Sequence, residues 1–191
     1  MLLVAGIDPG VGGAIALYDF DADRLFGVYK LPNYKIMVGK KERTRLDEEE
    51  LRDLFRSLAM MGVRFAVIEN VQGGNYSGKK QSAAGAFQFG YTYGLLRMAC
   101  MLVGIEHTTA SPAVWKLTEM VPVTAAAIVK KADAEFPEHK KLFHAPKGAA
   151  LHDRADAAFL SRYAARRIWP SQQPRAGLRT LALGVAKKVK L

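Results

Sequence analysis

Cysteine is almost missing: Cys100 is the one thiol in 191 residues, and it stands in an apolar stretch of helical character. An internal disulfide is therefore excluded, a reducing compartment fits, and the side chain reads as core. No Cys/His spacing suits zinc, and no Gly-x-x-x-x-Gly-Lys-Ser/Thr run exists to form a nucleotide P-loop. The first residues carry no basic n-region and no small-residue cleavage site, so a secretory signal is not expected and a cytoplasmic setting is. The one long apolar segment, residues 82–105, contains Gln88, Thr92 and Arg97. Such polarity is costly in lipid, so a buried soluble helix is expected there and no membrane partner. Acid is missing from the end of the chain: residues 157–191 hold eight basic side chains and no acidic one, against 20 and 18 in residues 1–156. The net charge of +10 is thus largely a C-terminal property. Arg162, Arg166, Arg167, Arg175, Arg179, Lys187, Lys188 and Lys190 suit a polyanion held through its phosphates, or else a solubilising tail.

What is present begins with core-forming material. Half of the residues are hydrophobic, enough for one domain, expected over residues 1–168 with a basic extension at 169–191. Residues 2–7 form an uninterrupted apolar run, the pattern of a central strand covered on both faces. Pro9-Gly10 breaks it, and Gly12-Gly13 lets a second strand, residues 14–20, return as a hairpin. A third strand is expected at 24–31, and residues 32–44 read as a polar, basic connection. A helix follows at 46–61, with acids in its first turns. Residues 63–69 repeat the opening strand. The segment 82–103 reads as a long helix in which Ala86, Gly90 and Gly94 recur every fourth position. That stripe, with Phe87, Phe89, Tyr91 and Tyr93, suits either a homodimer interface or burial against the sheet. A strand at 105–110 and helices opening at Pro112, at Thr124 and near Ala149 complete the pattern.

Acidic residues mark three of these elements, ending two strands and opening the last helix. Asp8 follows the first strand, where it suits either a cation seat or a turn cap. Glu69 ends the later apolar strand. Asp153 and Asp156 lie three apart on the last helix, hence on one face, either converging on a common site or forming an exposed acidic patch. Together they offer hard oxygen donors alone, which favour Mg2+, with Mn2+ as a substitute. Two such ions can activate a water and stabilise the leaving oxygen of a phosphodiester, so metal-dependent nucleic-acid hydrolysis is the economical reading. Residues 70–81, rich in glycine and carrying Tyr76, Lys79 and Lys80, suit either a grip on a nucleic-acid strand or an ordinary connection.

At this level the chain resembles a known family. Gly6-Ile7-Asp8-Pro9-Gly10, Val67-Ile68-Glu69 and His152-Asp153-Arg154-Ala155-Asp156-Ala157 are similar, in order and interval, to the three acidic motifs of the RuvC-type Holliday-junction resolvases. The likeness spans about residues 2–165 and includes the segment from Ser111-Pro112 to Lys116. It implies an α/β, RNase H-like fold with a central five-stranded mixed sheet flanked by helices. It also implies two Mg2+ ions on Asp8, Glu69, Asp153 and Asp156, a homodimer through the 82–103 helix, and paired symmetric nicks in a four-way DNA junction that leave 5′-phosphates. The family's aromatic wedge after the Glu has no direct match, since Gln72 and Gly73 stand there and Tyr76 is the nearest aromatic. Its lysine after the Pro-containing segment is Thr124 here. Lys116 and Lys147 are then the candidate phosphate contacts, with Lys79, Lys80 and Arg154 as further DNA contacts. The insertion at 32–45 and the long tail look closer to phage or organelle relatives.

Overall fold

The computed structural model describes residues 1–70 and 82–172. Five strands, β1 (Leu3–Ile7), β2 (Ala14–Asp19), β3 (Arg24–Lys30), β6 (Val63–Glu69) and β7 (Glu106–Ala110), form one sheet in the order β3-β2-β1-β6-β7. β1 runs parallel to β6, and β6 to β7, whereas β2 and β3 add as antiparallel neighbours. The opening run is therefore a central strand, and every residue of β1 is buried.

Alternation along the strands divides the core in two. Leu3, Ala5, Ile7, Ile15, Leu17 and Ile68 face α1 (Glu48–Met60) and α2 (Ala83–Leu102), where Leu51, Phe55, Leu58, Leu96 and Cys100 meet them. Val4, Ala14, Ala16, Tyr18 and Val67 face the other way, onto α4 (Ala125–Glu135) and α5 (His152–Tyr163). Asp47 caps α1 by accepting from the Glu50 N–H at 3.0 Å, and Glu48, Glu49 and Glu50 place negative charge at its positive end.

α5 lies unusually close to the sheet because Gly6 has no side chain. A Cβ there would sit 2.2 Å from Ser161 N and 2.7 Å from Ala157 O. The helix backbone thus rests on the strand backbone, and Ala155, Ala157 and Ala158 are fully buried around it. Past Tyr163 the chain continues through a π-helical turn (Ala164–Ile168) into α6 (Trp169–Gln172), and Trp169 packs on Phe65 with ring centroids 5.5 Å apart. Buried Arg162 ties α5 to its neighbours. Its Nε donates to Glu119 at 2.6 Å and its Nη1 to Glu135, while the guanidinium lies over the Phe136 and Phe159 rings. Two partners and two aromatic faces satisfy a charge that would be costly alone.

Two expectations change. Residues 32–44 are not an irregular connection: β4 (Asn33–Val38) and β5 (Lys41–Leu46) pair antiparallel as a separate two-stranded ribbon, turned at Gly39, whose φ of +62° suits glycine. The 82–105 segment is not a fully buried helix. Only Thr92, Leu96, Ala99 and Cys100 of α2 are buried, and Phe87, Met98, Met101 and Leu102 are exposed. No described helix is long and apolar enough to cross a membrane.

Candidate active site

Parallel pairing brings the first two acids together. Gly6 is opposite Val67 and Ile7 opposite Ile68, so Asp8, one residue past β1, and Glu69, the last of β6, emerge at the same sheet edge. The loop after β1 is closed by the Gly13 N–H donating to Gly10 O at 2.8 Å and by the Asp8 N–H donating to Ala14 O at 2.9 Å. Gly13 is required in this turn, since a Cβ would meet Asp8 O at 2.1 Å. Asp8 also accepts from the Gly10 N–H at 3.1 Å, which is the turn-cap role, and this bond occupies its Oδ1.

The first turns of α5 reach this edge. A Cβ on Gly12 would lie 3.7 Å from Asp153 Oδ2, which sets Asp153 against the Asp8 loop. Asp156 is buried, as the acidic-patch alternative does not allow. Its Oδ2 accepts from Lys116 Nζ at 2.9 Å, but its Oδ1 is buried without a hydrogen-bond partner among the described residues. Glu69 is also buried and accepts from the Trp115 indole N–H at 3.0 Å. His152 Nε2 stands 2.9 Å from Asp153 Oδ1. Trp115 and Lys116 are neighbours on α3 (Pro112–Thr118), so one short helix serves two of the acids.

The four carboxylates share one electrostatic environment. Burial, then the charges of Glu69 and Asp153 and more weakly Asp156, holds the Asp8 pKa well above the usual carboxylate value, against the Gly10 N–H. Glu69 is raised by burial and by Asp156, with Lys116 and Trp115 pulling the other way. Asp156 is raised by burial despite Lys116 and His152. These displacements mark a buried cluster of like charges that the Lys116 ammonium offsets only in part.

The donor set fits a hard divalent cation: it is all oxygen, mutually repelling and includes an orphaned buried acceptor. The expected two-ion cage is nevertheless not preformed. Among the described residues no three His, Cys, Asp or Glu side chains converge tightly enough to hold an ion as they stand.

Of the other expected contacts, Lys116 lies in the site, and Lys147 is exposed on the turn before α5. Arg154 donates to Leu142 O at 3.1 Å, a bond that holds the 3-10 segment Pro137–Phe143. Tyr76, Lys79 and Lys80, like the tail from residue 173, lie outside the described residues. Sequence alone assigns no role to Trp115 or His152. A buried indole needs an acceptor, and that need is the available signal for Trp115.

No family model and no curated protein sequence matches this chain. Solved structures do. Thermus thermophilus RuvC in complex with Holliday junction substrate is similar at a TM-score of 0.53 and 15% identity, over 86% of this chain and 95% of that one. A second T. thermophilus RuvC structure gives a TM-score of 0.46 at 16% identity, over 85% and 95%. With the sheet and helices described above, the first likeness assigns the α/β, RNase H-like fold of RuvC.

Proposed function

We propose that this chain is a metal-dependent endonuclease that resolves four-way DNA junctions by paired symmetric nicks leaving 5′-phosphates. The observation carrying this reading is that four carboxylates from three distant stretches lie within reach of one another's charge at one end of the sheet, with Asp156 Oδ1 left unpartnered among the described residues. The fold it shares with RuvC, whose solved complex holds a Holliday junction substrate, supports the choice of substrate. Asp8, Glu69, Asp153 and Asp156 would hold two Mg2+ ions, or Mn2+ in their place. Bound there, such ions supply water activation and charge stabilisation at the leaving oxygen.

The chain's own residues then have separable tasks. Trp115 orients Glu69 through its N–H, and Lys116 neutralises Asp156; with a cation held by the acids, its ammonium would be available to a phosphate. Lys147 and Arg154, with Tyr76, Lys79 and Lys80, hold the DNA backbone in this reading. A homodimer through the outward face of α2 would present two such sites to one junction. Its Phe87, Met98, Met101 and Leu102 are exposed, and nothing within the described chain comes within 4 Å of a Cβ built on Gly90 or Gly94. Residues 1–168 form the nuclease unit in this reading and 169–191 a basic extension, with Trp169 anchoring their junction.

The test is a comparison of cleavage of a mobile four-way junction, linear duplex, RNA–DNA hybrid and fork at equal concentrations with Mg2+. Cutting confined to the junction is expected. Equal rates on all four would instead assign a broader nuclease of the same fold, and no cutting with the junction still bound would assign a non-cleaving junction-binding protein.

A further inference from the structure

The β4–β5 ribbon is a separate sheet whose strands pair only with each other, and its register sorts its side chains. Cross-strand partners share a face. One face carries Tyr34 opposite Arg45, Ile36 opposite Arg43, and Val38 opposite Lys41. The other carries Asn33 opposite Leu46, Lys35 opposite Thr44, and Met37 opposite Glu42, and there Lys35 is neutralised by Glu42 at 2.7 Å. The ribbon's one acid is thus spent on the second face. Lys41, Arg43 and Arg45 on the first, and Lys40 at the turn, form no ion pair with any described residue. Tyr34 and Val38 are about half exposed beside them, at 49% and 51%.

Position gives this face a purpose. The ribbon leaves the sheet beside the acid-bearing loop: Asn33 Nδ2 donates to Val11 O at 2.8 Å, and the Leu31 N–H donates to Gly13 O at 2.9 Å. The Asp47 N–H donating to Pro32 O closes its base. Six residues per strand at about 3.4 Å each give a reach of roughly 20 Å, near six base-pair rises of a duplex. Cations two residues apart on β5 are about 7 Å apart, a spacing that suits neighbouring phosphates along a strand.

Building on the reading of the chain as a branched-DNA nuclease, we infer that the β4–β5 ribbon is a second nucleic-acid contact. Its Tyr34/Ile36/Val38 and Lys41/Arg43/Arg45 face lies along the backbone of a duplex arm entering the acid site. The apolar and aromatic members pack on sugars while the cations replace condensed counterions. The contact is to backbone, so it adds affinity irrespective of base sequence.

The test is anisotropy binding of a fluorescent four-way junction in EDTA across a salt series. The variant is Lys40→Gln/Lys41→Gln/Arg43→Gln, exposed positions whose change leaves the core intact. The slope of log K against log salt should fall by about 2 to 3, and by about 1 for Arg43→Gln alone. Lys35→Gln/Glu42→Gln, on the opposite face, should leave the slope unchanged. An unchanged slope in the triple variant, with a parent that cleaves junctions, overturns the ribbon contact and spares the proposed function. A parent that binds no DNA overturns both. Since Tyr34 and Arg45 lie near Tyr91 of α2, sedimentation of the variant is the companion measurement. Loss of a dimer without a change in slope would make the ribbon a subunit contact. Loss of binding to phosphatidylserine vesicles alone would make it a lipid contact, and either result refutes the inference.

Discussion

Replacing Asp8 with Asn should stabilise the metal-free protein while disabling it. The Asp8 pKa is raised first by burial and then by Glu69, Asp153 and Asp156, so its ionised form is disfavoured in the folded chain. A raised folded pKa contributes stability that is fully present below the unfolded value, about 3.9, and is lost as pH rises through the folded one. At neutral pH the charge therefore costs about 1.4 kcal/mol for every tenfold weakening of the acid on folding. Asn removes the charge but keeps an oxygen for the Gly10 N–H, so the turn persists. For a chain of this size each kcal/mol is worth about 2–4 °C in Tm. In EDTA at pH 7 the variant should melt a few degrees above the parent, and the difference should close as the pH falls toward 3. Added Mg2+ should reverse the order, because a ligand at 100 times its Kd stabilises the parent by about 2.7 kcal/mol and the variant less. Cleavage of a junction should fall at least about a hundredfold, or roughly 2.7 kcal/mol of transition-state stabilisation. A variant that melts below the parent in EDTA at pH 7, or that cleaves undiminished, would refute the reasoning.

Three further outcomes test other parts of the structure. Gly6→Ala puts a methyl 2.2 Å from Ser161 N and must lift α5 off β1; a loss above about 3 kcal/mol is expected, seen as a Tm drop of roughly 6–12 °C, and a change under about 1 kcal/mol would contradict the packing. Trp115→Phe keeps the ring but deprives buried Glu69 of its donor, so denaturant unfolding should report about 1–3 kcal/mol lost and junction cleavage should drop with it. Sedimentation of the parent should give twice the 21.0 kDa chain mass, and Phe87→Glu/Leu102→Glu should return it to one; a parent already monomeric at micromolar concentration would end the dimer proposal.

The sheet is legible in the sequence where burial imposes a simple pattern. An apolar run covered on both faces is what β1 and most of β6 have to be, and an acid ending each run can be placed at an edge from the sequence alone. Parallel pairing then brings Asp8 beside Glu69, a relation visible in the sequence only through resemblance. The ribbon escapes a sequence reading because its cations and its Gly39-Lys40 turn obscure an alternation, Tyr34-x-Ile36-x-Val38, that is there to be counted. The half-open face of α2 is misjudged because apolar content alone does not say which residues the rest of the chain covers. Contacts such as Trp115 with Glu69, or the solitary Oδ1 of Asp156, depend on three-dimensional proximity across 46 residues or more of chain, or on a partner being missing, and no local signal carries them.

The seating of α5 on bare backbone at Gly6 means that the gap between the two pairs of acids is gauged by main chain against main chain. Side chains elsewhere in the two cores can then drift in identity and volume without altering that gauge, provided one position keeps only a hydrogen. A scaffold measured in this way can diverge until little sequence is shared and still deliver its charged groups to the same rim.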